Sequence, residues 1–310
     1  MVVGLGLGLL AVSAVMLIAG AELFAENVGA AARGLGITVF GAAFLLAGAE
    51  PEEMITAVIA SGRHRPGLAA GDAIGANLTM LTLVLGLAAL ARPLPFGGRV
   101  RGYALWSALA GGLAALAVAG GMIGRWQGGL LLAAYLAGVA LLWLRERTPP
   151  AIGEAAEAGE DAGSRPVALG LALAVGGVAL MAAGGWLAVG GAERVVAALS
   201  LTDSAVGLTL LALATTAELF ALAWAAMRRG VSEIAVAGVA GSVAYNATAS
   251  LGVAALVRPL AVGGILAPAI AAAALPLALL VITPGGRLTR QAGAVLMVGY
   301  AAWVAAVLVR

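Results

Sequence analysis

The sequence GANLTMLTLVLGLAALARPLPFGG, residues 75–98, returns 166 positions later as GSVAYNATASLGVAALVRPLAVGG, residues 241–264. Twelve of the 24 aligned positions are identical, and the same offset places Glu52 on Glu218. Shared Ala, Leu and Gly content alone would give only a few such identities. A fixed internal offset is the signature of a duplicated structural unit. The repeat therefore predicts that the chain consists of two related halves.

The composition of the chain predicts that both halves lie in a membrane. Of the 310 residues, 63% are hydrophobic and 10% are charged, and the mean hydropathy is +1.07, whereas a soluble domain carries about 25% charged residues. A membrane helix needs roughly 20 apolar residues. Ten such segments lie at 1–20 and near 36–60, 67–91, 103–122, 126–144, 167–198, 203–227, 233–257, 263–283 and 291–309. The predicted fold is an all-α integral membrane protein with ten transmembrane helices.

A single long polar stretch divides the ten segments into five and five. Residues 145–166, RERTPPAIGEAAEAGEDAGSRP, are rich in Pro, Gly and acidic residues, which predicts a flexible acidic linker. The first five-helix repeat is then 1–144 and the second is 167–310. Because each half has an odd number of spans, the second half enters the membrane from the opposite side. This predicts an inverted repeat, which in many secondary transporters places the substrate site at the midplane.

The distribution of arginine predicts the orientation, since positive charge is retained on the cytoplasmic side. The side of the membrane that holds the linker carries eleven of the 17 basic residues, all of them Arg, and the opposite side carries six. We therefore expect a protein of the cell (inner or plasma) membrane. Its linker would be cytoplasmic and both of its termini would lie outside.

Rare residue types limit the chemistry that the chain can perform. There is no Cys, and the one His, His64, lies in a polar turn, which excludes thiol nucleophiles and multi-histidine metal sites. The sequence also lacks the Gly-x-Gly-Asp and Asn-Asp-x-x-Asp motifs of intramembrane proteases and prenyltransferases. The net charge of +2 gives no reason to expect a nucleic-acid partner. We expect no enzymatic activity and no resident cofactor, and the expected partners are the lipid bilayer and inorganic cations.

Five acidic residues lie inside the predicted spans, although a charged side chain costs about 2.5 to 3.5 kcal/mol at a helix centre. They are Glu50, Glu52, Glu53, Asp72 and Glu218. Pro51 cannot continue a helix but suits the first position of a new one, which predicts a break in the second span. Glu52 and Glu53 would then lie in the first turn of a half-helix, where the helix dipole favours negative charge. Glu218 interrupts the seventh span at the repeat-equivalent position.

Neutral oxygen donors accompany these acids in the sequence. They are Asn77, Thr79, Thr215, Thr216, Ser242 and Asn246. Ser242 and Asn246 are four residues apart and so share a helix face. Carboxylate, hydroxyl, amide and freed carbonyl oxygens are hard ligands, which suit Ca²⁺ or Na⁺ and not soft metals. The pattern predicts a cation site. The alternatives are helix packing for the hydroxyl groups, and structural ion pairing or a lone protonated acid for the carboxyl groups.

The motifs around these residues resemble the α-repeats of the cation/calcium exchanger superfamily, which includes sodium/calcium and calcium/proton exchangers. In that family G-T-S-x-P-E breaks the second and seventh helices, and G-N-x-x-G-S-N-x-x-N opens the third and eighth. Here the first repeat has GAEPEE at 48–53 and GDAIGANLTM at 71–80, and the second has LATTAEL at 213–219 and AGVAGSVAYN at 237–246. The resemblance covers both repeats and the ten-span layout.

In the second repeat the resemblance implies a role for each matching residue. Glu218 falls at the cation-coordinating glutamate of the family, and Thr215 and Thr216 fall at the hydroxyl pair that precedes it. Ser242 matches the serine of the second motif, and Asn246 matches its later amide or acid. All five would belong to the cation site.

In the first repeat the register of the resemblance is open. Counting from Gly48 implies Glu53 as the coordinating glutamate, with Ala49 and Glu50 at the two hydroxyl positions. Counting by the offset of 166, or by the Pro-Glu pair, implies Glu52 instead. Both registers remain possible from the sequence.

Other first-repeat residues depart from the family pattern. Ala76 and Met80 replace the serine and the later amide, and Asp72 replaces an Asn. In the family, hydroxyl groups of both repeats help to build sodium sites beside the calcium site, so their loss here disfavours sodium coupling. A pair of carboxyl groups can hold either a divalent cation or protons, and that competition produces exchange. The resemblance implies a secondary active antiporter that exchanges a divalent cation, first of all Ca²⁺, for H⁺ or Na⁺ by alternating access at a midplane carboxylate site.

A ten-helix carrier of small organic solutes, of the drug/metabolite type, is the alternative. Such carriers are also built from five-plus-five inverted repeats. They do not need acidic residues at matched helix breaks in both halves, so the carboxyl groups favour the cation site.

Overall fold

The computed structural model of the protein describes residues 1–34, 50–146, 166–229, 232–283 and 285–309. Its helices are α1 (Val2–Gly34), α2 (Pro51–Gly62), α3 (Pro66–Thr79), α4 (Leu85–Ala91), α5 (Gly98–Ala119), α6 (Arg125–Glu146), α7 (Val167–Leu199), α8 (Asp203–Val206), α9 (Ala212–Thr215), α10 (Ala217–Arg229), α11 (Ser232–Tyr245), α12 (Leu251–Val257), α13 (Leu266–Ile282) and α14 (Arg290–Leu308). The remaining elements are the π-helical turns π1 (Met80–Val84), π2 (Gly207–Leu211) and π3 (Asn246–Ser250), and the two-residue strands β1 (Leu94–Pro95), β2 (Met122–Ile123), β3 (Leu260–Ala261) and β4 (Arg287–Leu288). The first part of the expected second span and most of the expected linker lie outside the described residues.

Seven helical segments of the described chain are long and apolar enough to cross a membrane. They are Val2–Val28, Pro66–Ala91, Val100–Ala119, Arg125–Leu144, Val167–Leu199, Val236–Val257 and Arg290–Leu308. An eighth span results if Asp203–Thr215 and Ala217–Trp224, which are bent by 40° at a break, count as one. The apolar helix Leu266–Ile282 is shorter than these. The mainly helical, membrane-embedded fold is confirmed, whereas the number of ten spans stays a prediction.

The bounds of the elements repeat at the offset found in the sequence. The offset of 166 relates the helical run 66–91 (α3, π1 and α4) to the run 232–257 (α11, π3 and α12) at both ends. The same offset relates strand β1 to strand β3. The starts of α6 and α14 are one position closer together than the offset, as are the starts of α1 and α7. The two halves therefore share local structure as well as sequence.

Each π-helical turn has a threonine at its third position, and its hydroxyl group is one local cause of the wider turn. The hydroxyl groups of Thr82, Thr209 and Thr248 donate to carbonyl oxygens four residues earlier, at 2.5, 2.7 and 2.5 Å. A hydroxyl group that binds this carbonyl competes with the backbone N–H that normally uses it. In a π turn the backbone N–H bonds instead to the carbonyl group five residues back. The threonine thus favours the wider turn.

Short antiparallel strands depart from the expected all-α fold. Strand β1 pairs with β4, and β2 pairs with β3, so each pair joins a turn of the first half to a turn of the second. Next to the strands, Gly121 and Gly286 have φ angles of 76° and 68°, a conformation that favours glycine. Their carbonyl groups accept hydrogen bonds from Val262 and Phe96. A pairing of two residues leaves no alternating pattern in the sequence, which is why it was not predicted.

Glycine residues bring helices of the two halves into backbone contact. A Cβ atom on Gly86 of α4 would lie 3.0 Å from the carbonyl oxygen of Gly293 in α14, and one on Gly128 of α6 would lie 2.7 Å from that of Gly252 in α12. The repeat offsets relate one pair to the other. Small residues of this kind let membrane helices approach closely.

The substitution Gly128→Ala should destabilise the protein, and Gly129→Ala should not. Alanine improves helix propensity equally at both positions. Only at Gly128 would the added methyl group meet the neighbouring backbone, since nothing lies within 4 Å of a Cβ atom on Gly129. Overpacking costs about 1–3 kcal/mol. Thermal unfolding in detergent should give a lower Tm for Gly128→Ala than for Gly129→Ala, and equal values would contradict the close contact.

Candidate cation site

The helix breaks of the two halves lie at equivalent positions. Pro51 begins α2 and Ala217 begins α10, so the two starts are separated by the repeat offset. In both breaks the N–H of the third helical residue donates to the carbonyl oxygen of the residue before the helix, from Glu53 to Glu50 and from Leu219 to Thr216, each at 3.2 Å. The backbone therefore follows the ungapped offset, in which Glu52 corresponds to Glu218, and Glu53 corresponds to Leu219. Gly48 and Ala49, from which the other register is counted, lie outside the described residues.

The acidic residues of the first half form a buried cluster. The exposed fractions of Glu50, Glu52, Glu53 and Asp72 are 1%, 1%, 2% and 1%. The carboxyl groups of Glu50 and Glu53 lie within hydrogen-bonding reach of each other, and Glu53 is also within electrostatic range of Glu52 and Asp72. Two carboxylates cannot hydrogen-bond without a proton. This pair is therefore built to share a proton or to hold a positive ion between its oxygens.

Neutral side chains of the second half reach this cluster. The Asn246 amide donates to Oε2 of Glu50 at 3.4 Å. The Ser242 hydroxyl donates to the carbonyl oxygen of Gly238 at 3.1 Å and lies beside Glu50. The Thr215 hydroxyl donates to Oδ1 of Asp72 at 3.0 Å. The break in the second half and the face shared by Ser242 and Asn246 thus meet carboxyl groups of the first half.

A further hydroxyl group, which the sequence argument missed, orients Asn246. Ser250 donates to Oδ1 of Asn246 at 3.1 Å, which leaves the amide nitrogen pointing at Glu50. Both residues belong to π3, and π turns occur often at functional sites. The spacing of four residues between Asn246 and Ser250 was the available signal.

Two of the predicted site residues, Thr216 and Asn77, donate to backbone carbonyl groups. Thr216 donates to the carbonyl oxygen of Ala212 at 2.7 Å, and Asn77 donates to that of Val243, its repeat equivalent, at 3.0 Å. Glu218 is buried, with 5% exposed, in the first turn of α10. Thr216 and Asn77 thus bind backbone in this conformation, and Asn246 binds a carboxyl group. The Thr215 hydroxyl can donate to Asp72 or to the carbonyl oxygens of Ala212 and Leu211, at 3.1 and 3.3 Å.

Several carboxyl oxygens of the cluster accept no hydrogen bond from the described part of the chain. They are Oε1 of Glu50, both oxygens of Glu53 and Oδ2 of Asp72. No ion pair among the described residues includes these three side chains; those present join Arg63 and Arg65 to Glu193 and Asp203. Buried charges that lack such partners must be neutralised by protons or by a bound cation. Structural ion pairing therefore does not account for Glu50, Glu53 or Asp72.

The acidic side chains alone do not make a metal site. Within the described ranges no three Asp, Glu or His side chains converge as metal ligands. Calcium takes 6 to 8 oxygens, and these include carbonyl, amide and hydroxyl groups as well as carboxylates. A cation in this cluster would therefore need the neutral oxygens that the second half supplies.

The family model described as sodium/calcium exchanger protein matches residues 5–144 and 169–309 of the chain. The chain belongs to this family. The resemblance to the cation/calcium exchanger superfamily is thus confirmed, and the sodium/calcium exchanger family is one of transporters and not of enzymes.

Two membrane proteins resemble the chain in sequence, and a solved structure resembles it in fold. The inner membrane protein YrbG of Escherichia coli is 31% identical over 67% of this chain and 65% of its own length. MJ0091, an uncharacterized membrane protein of Methanocaldococcus jannaschii, is 27% identical over 61% of each chain. The chain thus spans less than two thirds of the length of these curated relatives. A structure of the sodium-calcium exchanger NCX_Mj soaked with Na⁺ and Sr²⁺ matches 98% of both chains with a TM-score of 0.65 at 24% identity, which shows a common fold.

Proposed function

We propose that this member of the exchanger family is a secondary active antiporter that exchanges a divalent cation, first of all Ca²⁺, for H⁺ or Na⁺. The observation that carries the proposal is the contact of buried carboxyl groups with neutral donors of the other half, Glu50 with Asn246 and Asp72 with Thr215. These groups are hard ligands that suit Ca²⁺. Because ligands come from both halves, a shift between the halves would assemble or open the site, which is what alternating access requires.

The arrangement of the carboxyl groups favours protons over sodium as the counter-ion. Glu50 and Glu53 lie close enough to share a proton, and a divalent cation would have to displace it. By the family resemblance, Ala76 stands where a hydroxyl group would help to build a sodium site. Binding of the cation and binding of the proton are then mutually exclusive, and each ion drives the release of the other.

We assign the cation site to the ten residues singled out in the sequence. The acidic ligands are Glu53, Glu218, Glu52, Glu50 and Asp72, and the neutral groups are Thr215, Thr216, Ser242, Asn246 and Asn77. In the conformation described here, the first-half acids, Thr215, Ser242 and Asn246 form the contacts that support this assignment.

The same proposal includes ten spans in two inverted repeats, 1–144 and 167–310, joined by the linker 145–166. Adding α13 and the span that ends with α2 to the eight apolar spans gives ten. The equivalent helices α1 and α7 run antiparallel, because Gly6 contacts Gly191 and Gly20 contacts Gly177, as an axis in the membrane plane requires. The arginine distribution supports a cytoplasmic linker and external termini.

A carrier of small organic solutes remains the alternative function. It would use the same ten-span architecture. The buried acidic cluster counts against it, because a neutral solute would leave these carboxyl groups to be compensated by protons alone.

Flux in reconstituted vesicles tests the proposal directly. Vesicles loaded with Ca²⁺ should release it when an inward pH gradient is imposed, and release under an inward Na⁺ gradient should be slower. A fluorescent calcium indicator outside the vesicles gives the rate, and protein-free vesicles give the leak. If neither gradient moves Ca²⁺, nor Mg²⁺, Mn²⁺ or K⁺ in parallel runs, the antiporter proposal is wrong.

A further inference from the structure

Tyr245, which no part of the sequence argument singled out, has a buried hydroxyl group beside the acidic cluster. Its exposed fraction is 3%, and its hydroxyl finds no hydrogen-bond partner among the residues that the structure describes. The equivalent residue in the first repeat, Thr79, donates to the carbonyl oxygen of Gly75 at 2.9 Å and lies 3.5 Å from the Tyr300 hydroxyl. Buried polar groups are nearly always hydrogen-bonded. The difference between Tyr245 and Thr79 therefore needs an explanation.

Tyr245 is the last residue of α11 and precedes Asn246, whose side chain donates to Glu50. Its ring meets that of Tyr135 edge to face, with ring centres 5.4 Å apart, and Tyr135 stacks on Trp106 at 6.1 Å. Carboxyl groups lie within electrostatic range of the Tyr245 hydroxyl, but none is close enough to accept its hydrogen bond. They belong to Glu50, Glu52 and Glu53. Packing thus holds a neutral oxygen near the cluster and at a distance from each of its acids.

Oxygens that bind one cation together need not be hydrogen-bonded to one another. Hydrogen-bonded oxygens lie about 2.7–2.8 Å apart, whereas the oxygens around Ca²⁺ stand about 2.3–2.6 Å from the ion and so up to roughly 5 Å from one another. Glu50 and Glu53 each present at least one oxygen that also accepts no hydrogen bond within the described chain. These carboxyl oxygens are buried, as is the Tyr245 hydroxyl, which is hydrogen-bonded to neither of the two acids.

We propose that the Tyr245 hydroxyl is a neutral oxygen ligand of the transported cation, an inference that rests on the proposed antiport function. Calcium needs more oxygens than the carboxyl groups supply, and a hydroxyl ligand adds one without adding charge. Mg²⁺ prefers six ligands and keeps several of its waters. The Tyr245 oxygen therefore favours Ca²⁺ over Mg²⁺.

The substitution Tyr245→Phe removes this oxygen and keeps the ring that packs on Tyr135. In calcium-loaded vesicles the KM for Ca²⁺ should rise about tenfold, while kcat stays within about twofold. Competition by Mg²⁺ should become more effective, because the loss of a protein oxygen penalises Ca²⁺ more. A purely structural tyrosine would not change this discrimination between the two ions.

Matched variants separate the oxygen from the packing. The substitution Tyr300→Phe removes a tyrosine hydroxyl of the same half that lies 3.5 Å from the Thr79 hydroxyl, and its KM should stay within about twofold of the wild type. Tyr245→Leu removes the ring and should lower the Tm as well as the affinity. If Tyr245→Phe matches the wild type in KM and in discrimination while only Tyr245→Leu is impaired, the hydroxyl is not a ligand and the proposal is overturned.

A binding measurement distinguishes failure of this inference from failure of the antiport function. Ca²⁺ should raise the Tm of the purified wild-type protein, and the midpoint of this effect should move about tenfold for Tyr245→Phe. If wild-type protein shows neither binding nor flux of any cation tested, the proposed function fails and the ligand role fails with it. If the wild type binds Ca²⁺ and the midpoint does not move in the variant, only the role of Tyr245 is disproved.

Discussion

Replacing Glu53 with Gln should reduce Ca²⁺ flux at least about a hundredfold and leave the protein as stable as the wild type or more stable. Glutamine has the same shape but carries no charge, so it cannot neutralise a cation. The fold does not depend on that charge, since both Glu53 oxygens accept no hydrogen bond from the described residues and other carboxyl groups lie nearby. Removing one member of a buried group of like charges relieves repulsion. A hundredfold loss corresponds to about 2.7 kcal/mol of lost cation binding.

The prediction is specific because Glu53→Gln should lower Ca²⁺ flux without lowering stability. Flux is measured in vesicles and the Tm in detergent, on the same preparation. The substitution Glu193→Gln is the control: it removes a carboxylate that pairs with Arg63 and is partly exposed. Such pairs contribute about 0–1 kcal/mol, so flux should stay within about twofold. Wild-type flux in Glu53→Gln would show that the site is elsewhere.

The substitution Glu218→Gln should also reduce flux at least about a hundredfold, whereas Glu52→Gln should reduce it less than about tenfold. Both residues are second in a half-helix, at positions related by the repeat, so the two variants make the same change in equivalent places. We expect them to differ because Glu53, which lies within hydrogen-bonding reach of Glu50, would be the coordinating glutamate of the first half. The functional counterpart of Glu218 would then be Glu53, although the backbone offset pairs Glu218 with Glu52.

The vesicle assay on Glu50→Gln, Glu52→Gln, Glu53→Gln and Glu218→Gln decides between the two registers. A severe loss in Glu52→Gln together with a mild one in Glu53→Gln would restore the register of the ungapped repeat offset. A mild loss in Glu218→Gln would remove the second-half break from the site.

The main features of the fold were accessible from the sequence because they depend on local physical effects. Apolar length predicts membrane helices, and Pro51 predicts the start of a helix at a break, which is where α2 begins. The repeat offset predicts equivalent elements, and α3 and α11 have bounds that match it. The buried carboxyl groups could also be recognised, because few acidic residues lie in apolar segments.

The remaining features depend on contacts between residues far apart in the chain. Nothing in the sequence near Glu50 indicates that Asn246 donates to it, or that Thr215 donates to Asp72. The π turns combine a local cause, the threonine hydroxyl, with packing that tolerates the extra residue. Tyr245 could not be recognised from the sequence, because the sequence does not show that its buried hydroxyl group lacks a hydrogen-bond partner among the described residues.

The pairing of strands from the two halves has a consequence for the synthesis of this protein. Strand β1 ends at Pro95 and its partner β4 begins at Arg287, so the whole chain between them must be made before that pair can close. At the usual rates of synthesis this takes roughly 10–40 s. For the earlier part of this time, until Asn246 has been made, Glu50 lies in the bilayer without its second-half donor. An uncharged, protonated carboxyl group is the form that costs least there, so the ability to hold a proton would serve the insertion of the nascent chain before it serves transport.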